Sequence, residues 1–112
     1  MNESILTSIK KLLGIPEEQT HFDPDIIIHI NSALGILNQL GAGVEGFSIQ
    51  DKDATWNEFV TDDTKIEMIK TYVYQKVKLI FDPPLSSSVT EAMNRSIAEF
   101  EWRINSAVDY KM

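Results

Sequence analysis

The stretch that decides the fold is residues 23–41, DPDIIIHINSALGILNQLG. Asp23 is a suitable N-cap, and Pro24 suits the first helical position, where its missing N–H costs nothing. The three consecutive isoleucines alone are compatible with a buried strand, but the length of the segment and its two end signals predict a helix. Its apolar face comprises Ile26, Ile27, Ile30, Ala33, Leu34, Leu37 and Leu40, and Gly41 or Gly43 ends it.

Three other segments show helical spacing of apolar residues. The first follows Asn2 or Ser4, carries Ile5, Ile9, Leu12 and Leu13, and stops at Gly14. Another begins near Asp62 and Asp63, carries Ile66, Ile69, Val73, Val77 and Ile80, and ends at Asp82-Pro83-Pro84. The last is predicted to begin at Ser88, with Glu91 completing a capping box, and its seam is Val89, Met93, Ile97, Phe100, Ile104 and Ala107.

Residues 41–62 are the least regular part of the chain. Gly41, Gly43 and Gly46 permit backbone conformations that other residues avoid. Phe47-Ser48-Ile49 alternates like a short strand or an extended arm, and Thr55-Trp56-Asn57-Glu58 has the spacing of a capping box before one helical turn. We therefore predict a single domain over residues 1–112, an all-α, compact bundle of about four helices. It has one long glycine-rich loop carrying a short strand or single helical turn.

Composition limits the possible functions. The 112 residues carry a net charge of -7 and no cysteine, so a disulfide scaffold and a thiolate zinc site are excluded. We expect no signal peptide and no membrane span, because the chain has no long apolar run. All of the excess negative charge lies in residues 1–62, and no basic cluster exceeds Lys10-Lys11. Tight nucleic-acid binding is not expected, since such binding needs clustered positive charge.

No motif for catalysis or for a metal is complete. Asp51, Asp53, Thr55, Asn57 and Asp62 fit positions of a calcium-loop template, but Trp56 stands where that loop needs glycine. The two histidines, His21 and His29, are too few for a multi-histidine metal site. We predict that the protein is not an enzyme and that it has no catalytic residues, no cofactor and no metal.

Two features favour an interaction protein. Apolar coverage on the second and third long helices exceeds what one neighbouring pair of helices can bury, so either these helices are central or part of their surface contacts a partner. Irregular segments as long as residues 41–62 are often functional in compact domains.

Several short motifs, in order, resemble the small head–tail connector (adaptor) proteins of tailed bacteriophages and prophages. They are Asp25…His29-Ile30-Asn31-Ser32-Ala33, Leu40-Gly41…Gly46-Phe47…Ile49, Thr55-Trp56, Lys70-Thr71-Tyr72-Val73-Tyr74…Phe81-Asp82-Pro83-Pro84 and Glu101-Trp102-Arg103. The resemblance implies a structural virion protein at the head–tail junction, present in the host cytoplasm during assembly. It implies a dodecameric ring that joins the portal vertex of the capsid to the tail and extends the DNA exit channel.

By this analogy the partners are the portal protein, the tail-completion proteins and other copies of the chain. The predicted contact residues, for the portal or a neighbouring subunit, are Gly41, Gly43, Gly46, Phe47, Ile49, Trp56 and Phe59. Free subunits are expected to be monomeric, with a disordered loop and mutual charge repulsion. The alternative is a small acidic cytoplasmic regulatory protein that binds a partner helix in an apolar groove.

Overall fold

A computed structural model describes residues 3–110, with side chains over residues 3–106. It contains five helices: α1 (Ile5–Leu13), α2 (Asp23–Gln39), α3 (Trp56–Phe59), α4 (Asp63–Phe81) and α5 (Ser87–Tyr110). The predicted all-α fold is confirmed, with four longer helices and a single helical turn. Between residues 3 and 110 there is no strand, and the pairing of Ser4 with Thr55 is an isolated antiparallel bridge.

The caps predicted from the sequence are present at some helix ends and absent at others. Ser4 caps α1 by accepting a hydrogen bond from the Thr7 N–H, whereas the alternative cap, Asn2, lies outside the described residues. Asp23 is the first residue of α2 rather than its cap. Its carboxylate lies 2.9 Å from the Lys10 ammonium, so a tertiary ion pair uses the group that was expected to cap the helix.

The beginning of α5 also differs from the prediction. The helix starts at Ser87, and the Ser86 hydroxyl, rather than that of Ser88, accepts a long hydrogen bond (3.4 Å) from the Val89 N–H. Because the cap lies two residues earlier than predicted, Glu91 is too far along the helix to complete a capping box. The side chain of Ala107, predicted on the seam of this helix, lies outside the described side chains.

Helix α4 is the centre of the bundle. It packs against each of the other four helices, and its most extensive contact is with α2. These two helices are antiparallel, because Phe22, just before α2, stacks edge-on with Phe81 at the end of α4 at a centroid distance of 5.4 Å. The excess apolar coverage on α2 and α4 is therefore mostly explained by central burial, although Ile28 and Ile80 remain exposed.

Helix α5 packs mainly on α4 and completes the bundle from one side. Ile97 and Ile104 of the predicted seam are buried, while Trp102, off the seam, is 69% exposed. The Tyr72 hydroxyl on α4 donates a 2.7 Å hydrogen bond to the Glu101 carboxylate on α5. None of the helices in the described part combines the length and the hydropathy that crossing a membrane requires.

Candidate interaction surface

The seven predicted contact residues do not share one environment. Trp56 and Phe59 have no exposed surface, and Ile49 is also buried. Phe47 is half-buried and packs against the core, whereas the three glycines are exposed. The large side chains of the set therefore stabilise the subunit itself, and the backbone around the glycines is the part that faces solvent.

Trp56 has a polar partner inside the core. Its indole N–H donates a 2.8 Å hydrogen bond to the Ser8 hydroxyl, which in turn donates to the Ile5 carbonyl oxygen at 3.0 Å. A buried Trp N–H without a partner is costly, so Ser8 makes this position suitable for tryptophan. The bond ties the single turn α3 to α1.

The Phe59 ring packs against two residues of the glycine-rich part of the chain, Gly43 and Phe47. Its ring lies 5.4 Å from that of Phe47, measured between centroids. Gly43 lies directly on the Phe59 ring with a φ of +78°, and a Cβ at this position would overlap the ring. Gly43 is therefore required both for its left-handed conformation and for this close approach.

Two asparagines of α2, spaced by two helical turns, attach the α2–α3 segment (residues 40–55) to the helix. Asn31 makes a pair of hydrogen bonds with the backbone of Ile49, at 2.9 Å to its carbonyl and 2.8 Å from its N–H. The Asn38 side chain donates to the carbonyls of Ala42 and Val44 and accepts from the Gly46 N–H. The side-chain amides of Asn31 and Asn38 thus pair with backbone groups of the segment that would otherwise need a neighbouring strand as partner.

These bonds also explain why the strand predicted at residues 47–49 does not form. The Ile49 backbone is already paired with a side chain, and no second strand lies beside it within the described residues. Further bonds fix both ends of the segment, from Val44 N–H to the Phe59 carbonyl and from Ile5 N–H to the Ala54 carbonyl, each at 2.9 Å. The structure therefore shows the α2–α3 segment hydrogen-bonded in its middle and near both ends, and the disorder expected in the free protein stays a prediction.

An apolar groove of about 320 Å³ opens beside this segment. Its walls are residues 41–44, residues 59–62, the first turns of α4 with Met68 and Ile69, and Ile104 of α5. Three of the predicted contact residues, Gly41, Gly43 and Phe59, are among the lining residues. The contribution of α4 and α5 to the groove was not predicted from the sequence, because only the packing of those helices brings them to the segment.

The surface of the segment and of α3 is acidic. Glu45, Asp51, Asp53 and Glu58 are all exposed. Asp51 accepts a hydrogen bond from the Asp53 N–H, which is an ordinary loop-stabilising contact. In the part of the chain that the structure describes, no three His, Asp or Glu side chains are arranged to hold a metal ion.

Buried polar groups elsewhere hold elements together. Lys10 is buried in α1, and its ammonium donates to the carbonyls of Glu17 and Gln19 at 3.0 and 2.8 Å, which fixes the α1–α2 connector. Burial alone would lower the pKa of Lys70, but its hydrogen bonds and charge interactions with Glu3 and Glu67 outweigh this and raise it. Burial, together with the bond to Glu101, raises the pKa of Tyr72 well above its ordinary value.

The fold and this surface define a class: a small all-α protein with a hydrogen-bonded segment between two helices, an apolar groove beside that segment, and exposed acidic side chains on the segment. The chain matches the family described as phage connector protein over residues 5–111, and it belongs to that family. No curated protein and no solved structure matches the chain significantly. Its family role is that of a structural connector in a phage, and this confirms the resemblance found in the sequence.

Proposed function

We propose that this connector protein joins the portal vertex of the capsid to the tail and assembles there as a ring that extends the DNA exit channel. The observation that carries the proposal is the family match over residues 5–111, which spans all five helices and the α2–α3 segment. In this role the protein acts at the head–tail junction of the virion, with the portal and the tail-completion proteins as partners. The host cytoplasm is its location during assembly.

The charge distribution supports the proposal. The net charge of -7 arises entirely from residues 1–62, where the exposed acids of the α2–α3 segment lie. A ring of subunits that each carry this net negative charge repels DNA phosphates, and a conduit must not retain the DNA that passes through it. Repulsion between the negative charges of free subunits opposes assembly until the subunits bind to a portal surface.

The α2–α3 segment is our candidate for the contact with the portal or with a neighbouring subunit. It includes five of the seven contact residues predicted from the sequence. The other two, Trp56 and Phe59, lie in α3 and are buried beneath the segment. A preformed, hydrogen-bonded segment loses little conformational entropy on docking, which favours binding.

The groove is also the feature that the alternative function, a helix-binding regulator, would need. The groove therefore does not separate the two functions. The connector function is favoured by the family match over residues 5–111.

The test is reconstitution with the portal protein encoded in the same genome. We expect the mixture to show an additional ring on the tail side of portal particles by negative-stain electron microscopy, and co-migration of both proteins in gel filtration. Portal particles without added density, with this protein eluting alone, would contradict the proposal. In the phage, deletion of the gene should yield DNA-filled heads and free tails that do not join.

A further inference from the structure

The turn between α4 and α5, residues 82–86, is bonded separately to the two helices that it joins. At its beginning, the Asp82 N–H donates to the Lys78 carbonyl, and the Asp82 carboxylate accepts from the Lys78 ammonium. At its end, the Ser86 carbonyl accepts from the Thr90 N–H of α5. Among the described residues, no hydrogen bond joins the two ends of the turn across its middle.

The middle of the turn favours an extended backbone. Pro83 and Pro84 have no N–H to donate, and their rings fix φ at about −65°, which is typical of extended polyproline backbone. A residue before a proline is also biased away from the helical region, and this applies to both Asp82 and Pro83. The next side chain, Leu85, is fully exposed and does not pack on either helix. The turn therefore also suits a straight connection between α4 and α5.

Helix α5 is attached to the bundle by few buried groups. Among its described side chains, only Ile97 and Ile104 are buried. The hydrogen bond from Tyr72 to Glu101 adds a polar contact with α4. An element with so little buried apolar surface can detach while the rest of the protein stays folded. The surface of α4 that it leaves fits the sequence of α5, and a second copy of the chain carries that sequence.

We infer that two copies of the chain exchange α5, so that the α5 of each copy packs on the α4 of the other. The turn becomes an extended hinge in both copies, and the contacts between α4 and α5 are kept. Residues 87–106 form about 30 Å of helix about 10 Å wide, so one α4–α5 contact buries on the order of 600 Å², counted on both helices. Two exchanged contacts bury about 1,200 Å², which is the lower end of a standard stable interface.

Exposed apolar side chains surround the hinge, and the exchange gives them a partner. Ile80, Leu85 and Val89, which we call the hinge patch, are half to fully exposed in the single subunit. An extended hinge covers at most about 20 Å between Phe81 and Ser87, so the two hinges of an exchanged dimer lie close together. The two hinge patches then bury apolar surface that the single subunit leaves in water.

The charge distribution permits this contact. Residues 63–112, which include α4 and α5, contain seven acidic and seven basic residues, so this half of the chain has no net charge. At the hinge itself, the Asp82 carboxylate is paired with the Lys78 ammonium at 2.9 Å. The exchange therefore joins two copies through the half of the chain where repulsion is weakest. It depends on the α4–α5 junction and not on the proposed function at the portal.

Refolding at different protein concentrations tests the exchange. Wild-type protein that is unfolded in urea and refolded at high concentration should give monomer and dimer in gel filtration with light scattering, whereas dilute refolding should give monomer. The isolated dimer should survive about hundredfold dilution and revert to monomer only in mild urea, because α5 must detach first. A dimer that dissociates immediately on dilution, or the absence of any dimer, would overturn the inference.

Two hinge variants form a matched pair, because they change the length of the turn and leave both helices intact. Deletion of residues 83–85 joins Asp82 to Ser86 without a proline, which favours a continuous helix and should make the dimer the main form. A short Gly/Ser insertion after Leu85 lets the chain reverse freely and should lower the dimer fraction about tenfold from wild type. If the deletion variant loses its helix content by circular dichroism, the insertion variant decides: a dimer fraction equal to that of wild type contradicts the exchange.

Leu85→Asp tests the hinge patch separately, with Leu12→Asp, on the exposed face of α1, as its control. Leu85→Asp should lower the dimer fraction after concentrated refolding, because two carboxylates would then meet at the hinges, and Leu12→Asp should leave it unchanged. Equal dimer fractions in the two variants would show that the dimer does not form through the hinge. All of these measurements use the protein alone, so a failure to form a ring on the portal would refute the proposed function and leave the exchange standing.

Discussion

The indole N–H of Trp56 donates to the hydroxyl of Ser8, 48 positions earlier in the chain, at 2.8 Å inside the core. This bond makes the α2–α3 segment dependent on α1, because Trp56 lies directly after the segment and Ser8 lies in the middle of the first helix. Trp56 therefore contributes to the surface by fixing its end, not by contacting a partner in this conformation.

Replacing Ser8 with alanine should lower the free energy of unfolding by about 1–3 kcal/mol, because it leaves the Trp56 N–H buried without an acceptor. Urea unfolding followed by tryptophan fluorescence measures the change. Ser32→Ala is the matched control, since Ser32 is an exposed serine in α2. Equal stability of the two variants would contradict the importance of this bond.

Trp56→Ala and Phe59→Ala should each lower the free energy of unfolding by about 3–5 kcal/mol, since both side chains are completely buried. Trp102→Ala, on an exposed side chain, should change it by no more than about 0.5 kcal/mol. Thermal unfolding monitored by circular dichroism is the measurement. These core variants cannot be used to test docking, because loss of the fold and loss of a partner would look the same.

Gly43 and Gly46 offer a matched pair with nearly the same φ, +78° and +77°. Alanine at Gly46 should cost about 1–2 kcal/mol for the left-handed conformation, since nothing lies near its Cβ. Alanine at Gly43 adds an overlap with the Phe59 ring, for a further ~1–3 kcal/mol. Urea midpoints would show the difference, and similar midpoints would mean that the ring moves aside freely.

Asn31→Ala should release the middle of the α2–α3 segment while leaving the helices folded. The substitution removes both hydrogen bonds to the Ile49 backbone, so the Ile49 amide should exchange with deuterium at least tenfold faster. Gln39→Ala is the control, because Gln39 is an exposed α2 residue. Unchanged protection at Ile49 in Asn31→Ala would show that burial of its side chain alone holds the segment.

The raised pKa of Tyr72 predicts that the folded protein loses stability at alkaline pH. Its folded-state pKa is raised above the unfolded value of 10.0, so its contribution is complete below about pH 10 and is lost as the pH rises further. The pKa is raised first because burial disfavours the charged phenolate, and second because the Glu101 carboxylate accepts from the neutral hydroxyl and repels the ionised one. Unfolding free energies between pH 8 and pH 11 should fall less steeply above pH 10 for Tyr72→Phe than for wild type, with Tyr74→Phe resembling wild type.

The helices could be predicted because their signals are local. The 3.6-residue spacing in α2 and α4, the caps at Ser4 and Asp62, and the prolines after α4 each act within a turn or two of the chain. The capping box Thr55–Glu58 likewise predicted α3, where the Glu58 carboxylate accepts from the Thr55 N–H at 2.8 Å. A local prediction failed where a tertiary contact engaged the group concerned. Asp23, expected to cap the beginning of α2, instead forms an ion pair with Lys10.

The sequence by itself determined the all-α class, the order of the helices, the acidic charge and the resemblance to phage connectors, because these depend on composition, on periodicity and on short motifs. Only the tertiary structure decided which apolar side chains are core and which are surface. Trp56 and Trp102 are equally hydrophobic in the sequence, yet one is buried against α1 and the other faces solvent. Burial depends on what packs against a side chain from distant parts of the chain, and the groove formed by the α2–α3 segment, α4 and α5 exists only for that reason.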